Sequence, residues 1–168
     1  GTGNLSVYCG EGDRYVFYEI DARVVSLAKE YFTYSSRCDG FEVRLGDARI
    51  VLEDERRRGE LQKFDVIAVD AFNDDTIPVH LITKEALQLY LDHLVGRDSI
   101  IAVHTSNRYL DLPPAMLSLI EPDALPPSLS SLVIGGEAAE PLQIERWSRQ
   151  LRLINVYGPT EATVCSSA

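Results

Sequence analysis

Short runs of β-branched and aromatic residues alternate with amphipathic segments along the first two-thirds of this sequence. The runs have the length and composition of strands and lie at residues 15–20, 41–45, 64–69 and 99–104. The segments between them carry apolar residues close to a 3.6-residue period and lie at residues 22–34, 48–58 and 83–94. Such alternation predicts a parallel sheet with right-handed crossover connections. We therefore predict an α/β fold in which helices flank a mostly parallel sheet.

The strand predicted at residues 64–69 ends on Asp70 and opens into an acidic loop that continues to Pro78 (FDVIAVDAFNDDTIP). Open α/β sheets bind ligands beyond the carboxyl ends of their strands. A carboxylate in that place can hold an amine or accept its proton. The alternative is a solvated turn rich in Asp and Asn.

Acidic residues and glycines also stand at the other predicted turns. Glu19 and Asp21 follow the strand at residues 15–20, where a carboxylate commonly binds ribose hydroxyls, although Asp21 can simply cap the next helix. Asp47 either accepts a hydrogen bond from an adenine amino group or caps the helix that follows it. Gly1 and Gly3 allow a close approach to a nucleotide or belong to a frayed terminus.

The bulk composition limits the classes of partner. The chain has 168 residues and a formal net charge of −10, so it has no overall basic charge that would favour nucleic acid or an anionic membrane. No apolar run is long enough to span a bilayer. The three cysteines are widely spaced and odd in number, so we expect no disulfide, a reducing compartment and a cytoplasmic location.

The histidines suggest no metal site. His80, His93 and His104 have no partner at metal-ligand spacing, and we expect structural roles for them and no bound metal.

Residues 1–112 resemble the spermidine synthase family, within the Rossmann-like fold of S-adenosylmethionine-dependent methyltransferases. The matching runs are GTG at residue 1, FYEID at 17, GDA at 46, DVIAVDAF at 65, IPVHLIT at 77 and AVHTSNRYLDL at 102. The resemblance implies aminopropyl transfer from decarboxylated S-adenosylmethionine to an amine, or a related reaction of S-adenosylmethionine. Asp70 would then be the catalytic carboxylate that accepts the proton of the amine. The nucleoside would be bound by Gly1, Gly3, Glu19, Asp47 and Ala48.

One position departs from that family. Spermidine synthases carry a second Asp three residues after the catalytic one, and Asn73 stands there in this sequence. An amide cannot take up a proton from a cationic amine, so the polyamine specificity of the family does not transfer with the rest of the motif.

Residues 113–168 resemble a different family, the adenylation domains of nonribosomal peptide synthetases. The matching runs are LPPAMLSLIEPDALP at residue 112, LSSLVIGGEA at 129 and INVYGPTEATVCSS at 154. The resemblance implies ATP binding with magnesium, in which Tyr157 stacks on adenine, Thr160 contacts the phosphates and Glu161 helps to hold the metal. The run Gly135–Glu137 would lie near the substrate and adenine pockets.

The two resemblances meet near Leu112 and predict two domains, residues 1–112 and 113–168. Because the chain opens on Gly1 without a methionine or a first strand, we interpret it as a fragment. We expect the strand at residues 129–136 to fill the central slot of the first domain's sheet, between the strands at 15–20 and 64–69. The strand at residues 151–156 would extend the same sheet.

Three functions remain open at this point. The chain is a truncated aminopropyltransferase-like enzyme, an ATP-binding piece of an adenylation domain, or an inactive chimera of the two. The expected partners are a small nucleoside and an amine, with a homodimer as a further expectation and no partner nucleic acid or membrane.

Overall fold

A computed structural model of the chain describes residues 2–71, 78–96, 98–104, 117–118, 125, 129–135 and 140–156. The chain divides into two compact units, unit 1 (Gly1–Arg57) and unit 2 (Arg58–Ala168). The predicted division at residue 112 concerns family membership and stays a prediction.

Unit 1 is a two-stranded parallel sheet with helices in its connections. Its regular elements are a 3-10 helix at Asn4–Tyr8, β1 (Arg14–Glu19), α1 (Ala22–Tyr31), a 3-10 turn at Ser35–Arg37, β2 (Gly40–Leu45) and α2 (Ala48–Arg57). Arg14 lies opposite Gly40 and Glu19 lies opposite Leu45. The carboxyl ends of both strands therefore lie at the same edge of the sheet.

A buried ion pair connects α2 with the sheet of unit 1. Glu55 is 2% exposed, accepts a hydrogen bond from the Tyr18 hydroxyl at 3.1 Å, and pairs with the Arg44 guanidinium. Arg44 also donates to Glu42 at 2.7 Å. Burial, together with the negative charge of Glu55, raises the pKa of Tyr18. Burial would lower the pKa of Arg44, but its hydrogen bonds to Glu42 and Glu55 outweigh that effect and raise it.

The expectation of no disulfide is wrong. Cys9 and Cys38 form one, with their Cα atoms 5.5 Å apart, inside the usual range for a disulfide. The 3-10 helix at Asn4–Tyr8 ends at Cys9, and the turn at Ser35–Arg37 ends at Cys38. Packing of these two short helices brings together cysteines that are far apart in sequence, so their spacing gave no sign of the bond. The argument for a reducing compartment therefore no longer holds.

Unit 2 is a four-stranded sheet in which every neighbouring pair is parallel. Its regular elements are β3 (Val66–Val69), a 3-10 helix at Val79–Ile82, α3 (Lys84–Asp92), β4 (Ser99–His104), β5 (Leu129–Gly135), α4 (Pro141–Ser148) and β6 (Arg152–Val156). The strand order is β3-β4-β5-β6. The predicted α/β class with parallel strands and flanking helices is confirmed.

The predicted place of β5 is wrong. β4 pairs with one edge of β5 and β6 pairs with the other, so β5 has no edge left for the strands between which we expected it. The strands form two sheets, β1-β2 and β3-β4-β5-β6. The two C-terminal strands do extend a sheet, since β5 pairs with β4 and β6 pairs with β5, but this sheet contains β3 and β4 and not β1 or β2.

The core of unit 2 lies between its sheet and helices α3 and α4. Trp147 on α4 is 2% exposed, and its indole N–H donates to the Leu117 carbonyl at 3.2 Å. An apolar cavity of about 20 Å³ remains beside it, too small for an organic ligand. Its lining residues are Leu87, Leu91, Ile101, Leu117, Leu125, Leu129, Leu132 and Trp147.

Thr83 caps α3, as its position before the amphipathic segment predicts. Its hydroxyl accepts a hydrogen bond from the Ala86 N–H at 3.2 Å. We expect Thr83→Ala to lower the free energy of unfolding of unit 2 by about 1 kcal/mol, because this N–H then loses its partner. Trp147 is the only tryptophan of the chain, so its fluorescence in a urea titration reports on this unit. Thr83→Ser keeps the hydroxyl and serves as the control; equal losses in both variants would contradict a capping role.

Candidate functional site

The four strands of unit 2 end in register and create one edge from which polar groups emerge. His104 lies opposite Gly135, and Gly135 lies opposite Val156, while Val69 pairs with the residue before His104. We call this row, Asp70 together with His104, Gly135 and Val156, the carboxyl edge of unit 2. It is the part of an open parallel sheet at which ligands bind.

Asp70 and His104 form a pair on the carboxyl edge. The Nδ1 atom of His104 lies 2.9 Å from a carboxylate oxygen of Asp70. The Asp70 side chain is 57% exposed, so solvent or a ligand still reaches the carboxylate. A carboxylate held in this way can bind a cationic amine and accept a proton from it.

His104 is a polar partner that our reading of the sequence missed. We expected a structural role for it, because it has no partner at metal-ligand spacing. The signal lay in the strand order: His104 ends the strand that follows the Asp70 strand in sequence, and consecutive strands are usually neighbours.

The predicted nucleoside-binding residues of unit 1 have structural partners. The two carboxylate oxygens of Glu19 accept hydrogen bonds from the Thr2 hydroxyl and from the Asp21 N–H. Gly3 is buried in a left-handed conformation with φ of 94°, where a Cβ would lie 2.8 Å from the Tyr34 ring. The backbone conformation and the packing of unit 1 therefore account for a glycine at this position without a bound nucleoside.

Asp21 and Asp47 both act as helix caps. The Asp21 carboxylate accepts from the Arg23 N–H at 2.8 Å, and its ion pair with the Arg23 side chain lowers its pKa. The Asp47 carboxylate accepts from the backbone N–H groups of Arg49 at 3.0 Å and Ile50 at 3.2 Å. Ala48 is the first residue of α2. The capping alternatives are confirmed, and the adenine-binding role of Asp47 and Ala48 stays a prediction.

Several predicted site residues lie outside the described residues. They are Gly1, Asn73, Asp74, Asp75, Gly136, Glu137, Tyr157, Thr160 and Glu161. The chain enters the GGE motif through Gly135 at the end of β5 and the YGPTE motif directly after Val156 at the end of β6.

Among the residues that the structure describes, no three or more His, Cys, Asp or Glu side chains are grouped so that they could hold a metal ion. Over the same residues, no helix has the length and hydropathy needed to cross a membrane.

Two nonribosomal peptide synthetases and a novobiocin biosynthesis protein are among the proteins similar to this chain. The chain is 46% identical over 78 residues to a probable non-canonical nonribosomal peptide synthetase, CymA, of Salinispora arenicola. It is 50% identical over 56 residues to novobiocin biosynthesis protein H of Streptomyces niveus. It is 34% identical over 107 residues to the nonribosomal peptide synthetase apmB of Penicillium brevicompactum.

Each match covers a minor part of the relative. The three cover 45%, 33% and 63% of this chain but only 1%, 9% and 4% of the respective relatives. No family model matches the chain, and no solved structure matches it at a significant level. The relatives support the adenylation part of the resemblance and give no support to the spermidine synthase part.

Proposed function

We propose that this chain contains a piece of the adenylation domain of a nonribosomal peptide synthetase and binds ATP with magnesium at the carboxyl edge of unit 2. The observation that carries the proposal is the pairing of β5 with β6. Gly135 lies opposite Val156 in that pairing, so the GGE and YGPTE motifs both start at one edge. Neighbouring strands are about 4.8 Å apart, so the chain enters the two motifs from adjacent points of this edge.

The residues of these motifs have complementary roles in the proposal. Tyr157 stacks on the adenine ring, Thr160 contacts the phosphates and Glu161 helps to hold magnesium. The relatives support an adenylation-domain origin of the chain, because two of the three reported are peptide synthetases by name. We limit the proposed activity of this chain to ATP binding and leave out amino-acid activation as a whole, since the chain spans less than a tenth of each of these relatives.

Titration calorimetry with ATP and magnesium tests the proposal on the full chain. We expect binding that weakens at least about ten-fold in Glu161→Ala, because a charged contact to the ligand is lost. Glu145→Ala is the matched control: Glu145 is an exposed residue of α4 paired with Arg149, and its loss is expected to leave ATP binding unchanged. Equal affinity in Glu161→Ala and the native chain contradicts the proposal.

A second candidate rests on the Asp70–His104 pair. An exposed carboxylate oriented by an imidazole is suited to accept a proton from an amine, as the resemblance to spermidine synthases implies. The adenosyl-binding, methyltransferase-type form of the fold belongs to the same candidate. Titration with methylthioadenosine separates the two functions. Heat with methylthioadenosine but not with ATP favours the transferase, and heat with neither favours the inactive chimera.

A further inference from the structure

Unit 1 has a cleft at the edge of its sheet where β1 and β2 begin. The cleft has a volume of about 650 Å³ and surrounds the first residues of both strands, Arg14 and Gly40. Its other lining residues are Cys9, Gly10, Glu11, Gly12, Asp13, Arg37, Asp39, Phe41 and Glu42. Gly40 is needed there, because a Cβ on it would lie 2.1 Å from the Asp13 carbonyl oxygen.

The disulfide is exposed to this cleft on one side only. Cys9 is half-buried and lines the cleft, whereas Cys38 is 5% exposed. Cys9 is therefore the half of the disulfide that a molecule in the cleft can contact. The buried sulfur of Cys38 is the leaving group for any attack on the bond.

Charged side chains of both signs line the cleft. Arg37, Glu11 and Asp39 line the cleft, and all three side chains are exposed. In the part of the chain that the structure describes, none of these three forms an ion pair. Arg14 and Asp13, in contrast, have partners, since Arg14 pairs with Glu42 at 3.3 Å and Asp13 accepts from the Gly10 N–H at 2.9 Å. The cleft thus offers one cation and two anions to a ligand.

We propose that this cleft is a thiol–disulfide exchange site for a small zwitterionic thiol of the amino-acid type. Its carboxylate pairs with Arg37, and its ammonium group pairs with Glu11 or Asp39. A thiol that carries both charges close to its sulfur matches the cleft, whereas a thiol with no other charged group gains nothing from these residues.

The exchange proceeds in two balanced steps. The thiolate of the ligand attacks Sγ of Cys9, the Cys9–Cys38 bond breaks, and the electron pair leaves on Cys38, whose thiolate takes a proton from water. The product is a mixed disulfide between the ligand and Cys9. A second molecule of the thiol attacks the ligand sulfur of this mixed disulfide, which releases the ligand as its own disulfide and leaves Cys9 reduced.

The experiment compares cysteine with 2-mercaptoethanol on the full chain, with Cys165 replaced by serine so that no third thiol takes part in the exchange. Both reagents have the same net charge as thiolates, and only cysteine is also a zwitterion. We measure the rate constant with which each reagent reduces the disulfide, and we take the ratio of the value for cysteine to the value for 2-mercaptoethanol. This ratio is determined for the folded chain and for the chain unfolded in urea. We expect the ratio to be about two- to five-fold higher in the folded chain, the gain typical of exposed ion pairs. Peptide mass spectrometry is expected to locate the adduct on Cys9.

Two variants decide the role of the charges. Arg37→Gln is expected to bring the folded ratio down to the value in urea. Arg23→Gln is the matched control, because Arg23 is an exposed arginine of unit 1 that does not line the cleft, and it is expected to keep the preference. Equal ratios in the folded and unfolded chains, an unchanged ratio in Arg37→Gln, or an adduct on Cys38 would each overturn the proposal.

Discussion

Replacement of Trp147 by alanine is expected to lower the free energy of unfolding of unit 2 by about 3–5 kcal/mol, the usual cost of removing a buried aromatic side chain. The indole is 2% exposed, and it lies beside an existing cavity that its loss would enlarge. The Leu117 carbonyl would lose its hydrogen bond as well. Urea unfolding followed by far-UV circular dichroism measures the change, since the variant lacks the fluorophore.

Two further variants divide this loss. Trp147→Phe keeps most of the apolar contact but cannot donate to Leu117, so its loss should be intermediate. Leu142→Ala is the matched control on the same helix: Leu142 is 78% exposed, and its truncation is expected to change the stability by less than about 0.5 kcal/mol. Equal destabilisation by Leu142→Ala and Trp147→Ala would show that the helix, and not the buried ring, determines the effect.

The second large effect is expected from Glu55. Glu55→Ala should destabilise unit 1 by about 3–5 kcal/mol, because it removes one partner of a buried ion pair. The Tyr18 hydroxyl also loses its acceptor. Hydrogen exchange of peptides from β1 and β2 measures the loss in unit 1, and Trp147 fluorescence monitors unit 2 in the same sample.

A neighbouring carboxylate provides the comparison. Glu53 lies on the same helix and pairs with Arg57 four residues later, at the surface. Glu53→Ala should cost less than about 1 kcal/mol, since exposed pairs contribute little. If Glu53→Ala and Glu55→Ala accelerate hydrogen exchange in β1 and β2 to the same extent, the burial of the Glu55 ion pair does not increase its contribution to the stability of unit 1.

Local patterns predicted the secondary structure well. The strand at Ser99–His104 has the predicted bounds, and α1 and α2 begin at the predicted residues. Asp21 and Thr83 cap helices as expected. These features depend on residues a few positions apart, so a single sequence contains the necessary information.

The failures concern contacts between residues that are distant in sequence. β5 has the composition of a central strand, and it is flanked on both sides, but its neighbours are β4 and β6. Composition shows that a strand is buried and does not identify the strand beside it. The Cys9–Cys38 bond and the Asp70–His104 pair depend in the same way on how the elements pack.

The candidate site was predictable in part. Asp70 follows β3 and Gly135 ends β5, with β4 between these two strands. Both residues lie at one edge of the sheet because the strands are parallel, as the alternation of strands and helices predicted. The partners already present at Glu19 were not predictable, because Thr2 reaches it only through the fold of unit 1.

The all-parallel pairing has a consequence for how fast this chain folds. No two strands that are neighbours in a described sheet are joined by a hairpin; Val66 pairs with Ile100, and Ile100 pairs with Ser131. Each pairing must close a long loop before any ladder hydrogen bond forms, and this entropy cost slows the search for the native register. We expect refolding on the millisecond-to-second scale, with β6 forming after its neighbours in the sheet on a ribosome because it follows β3, β4 and β5 in the chain.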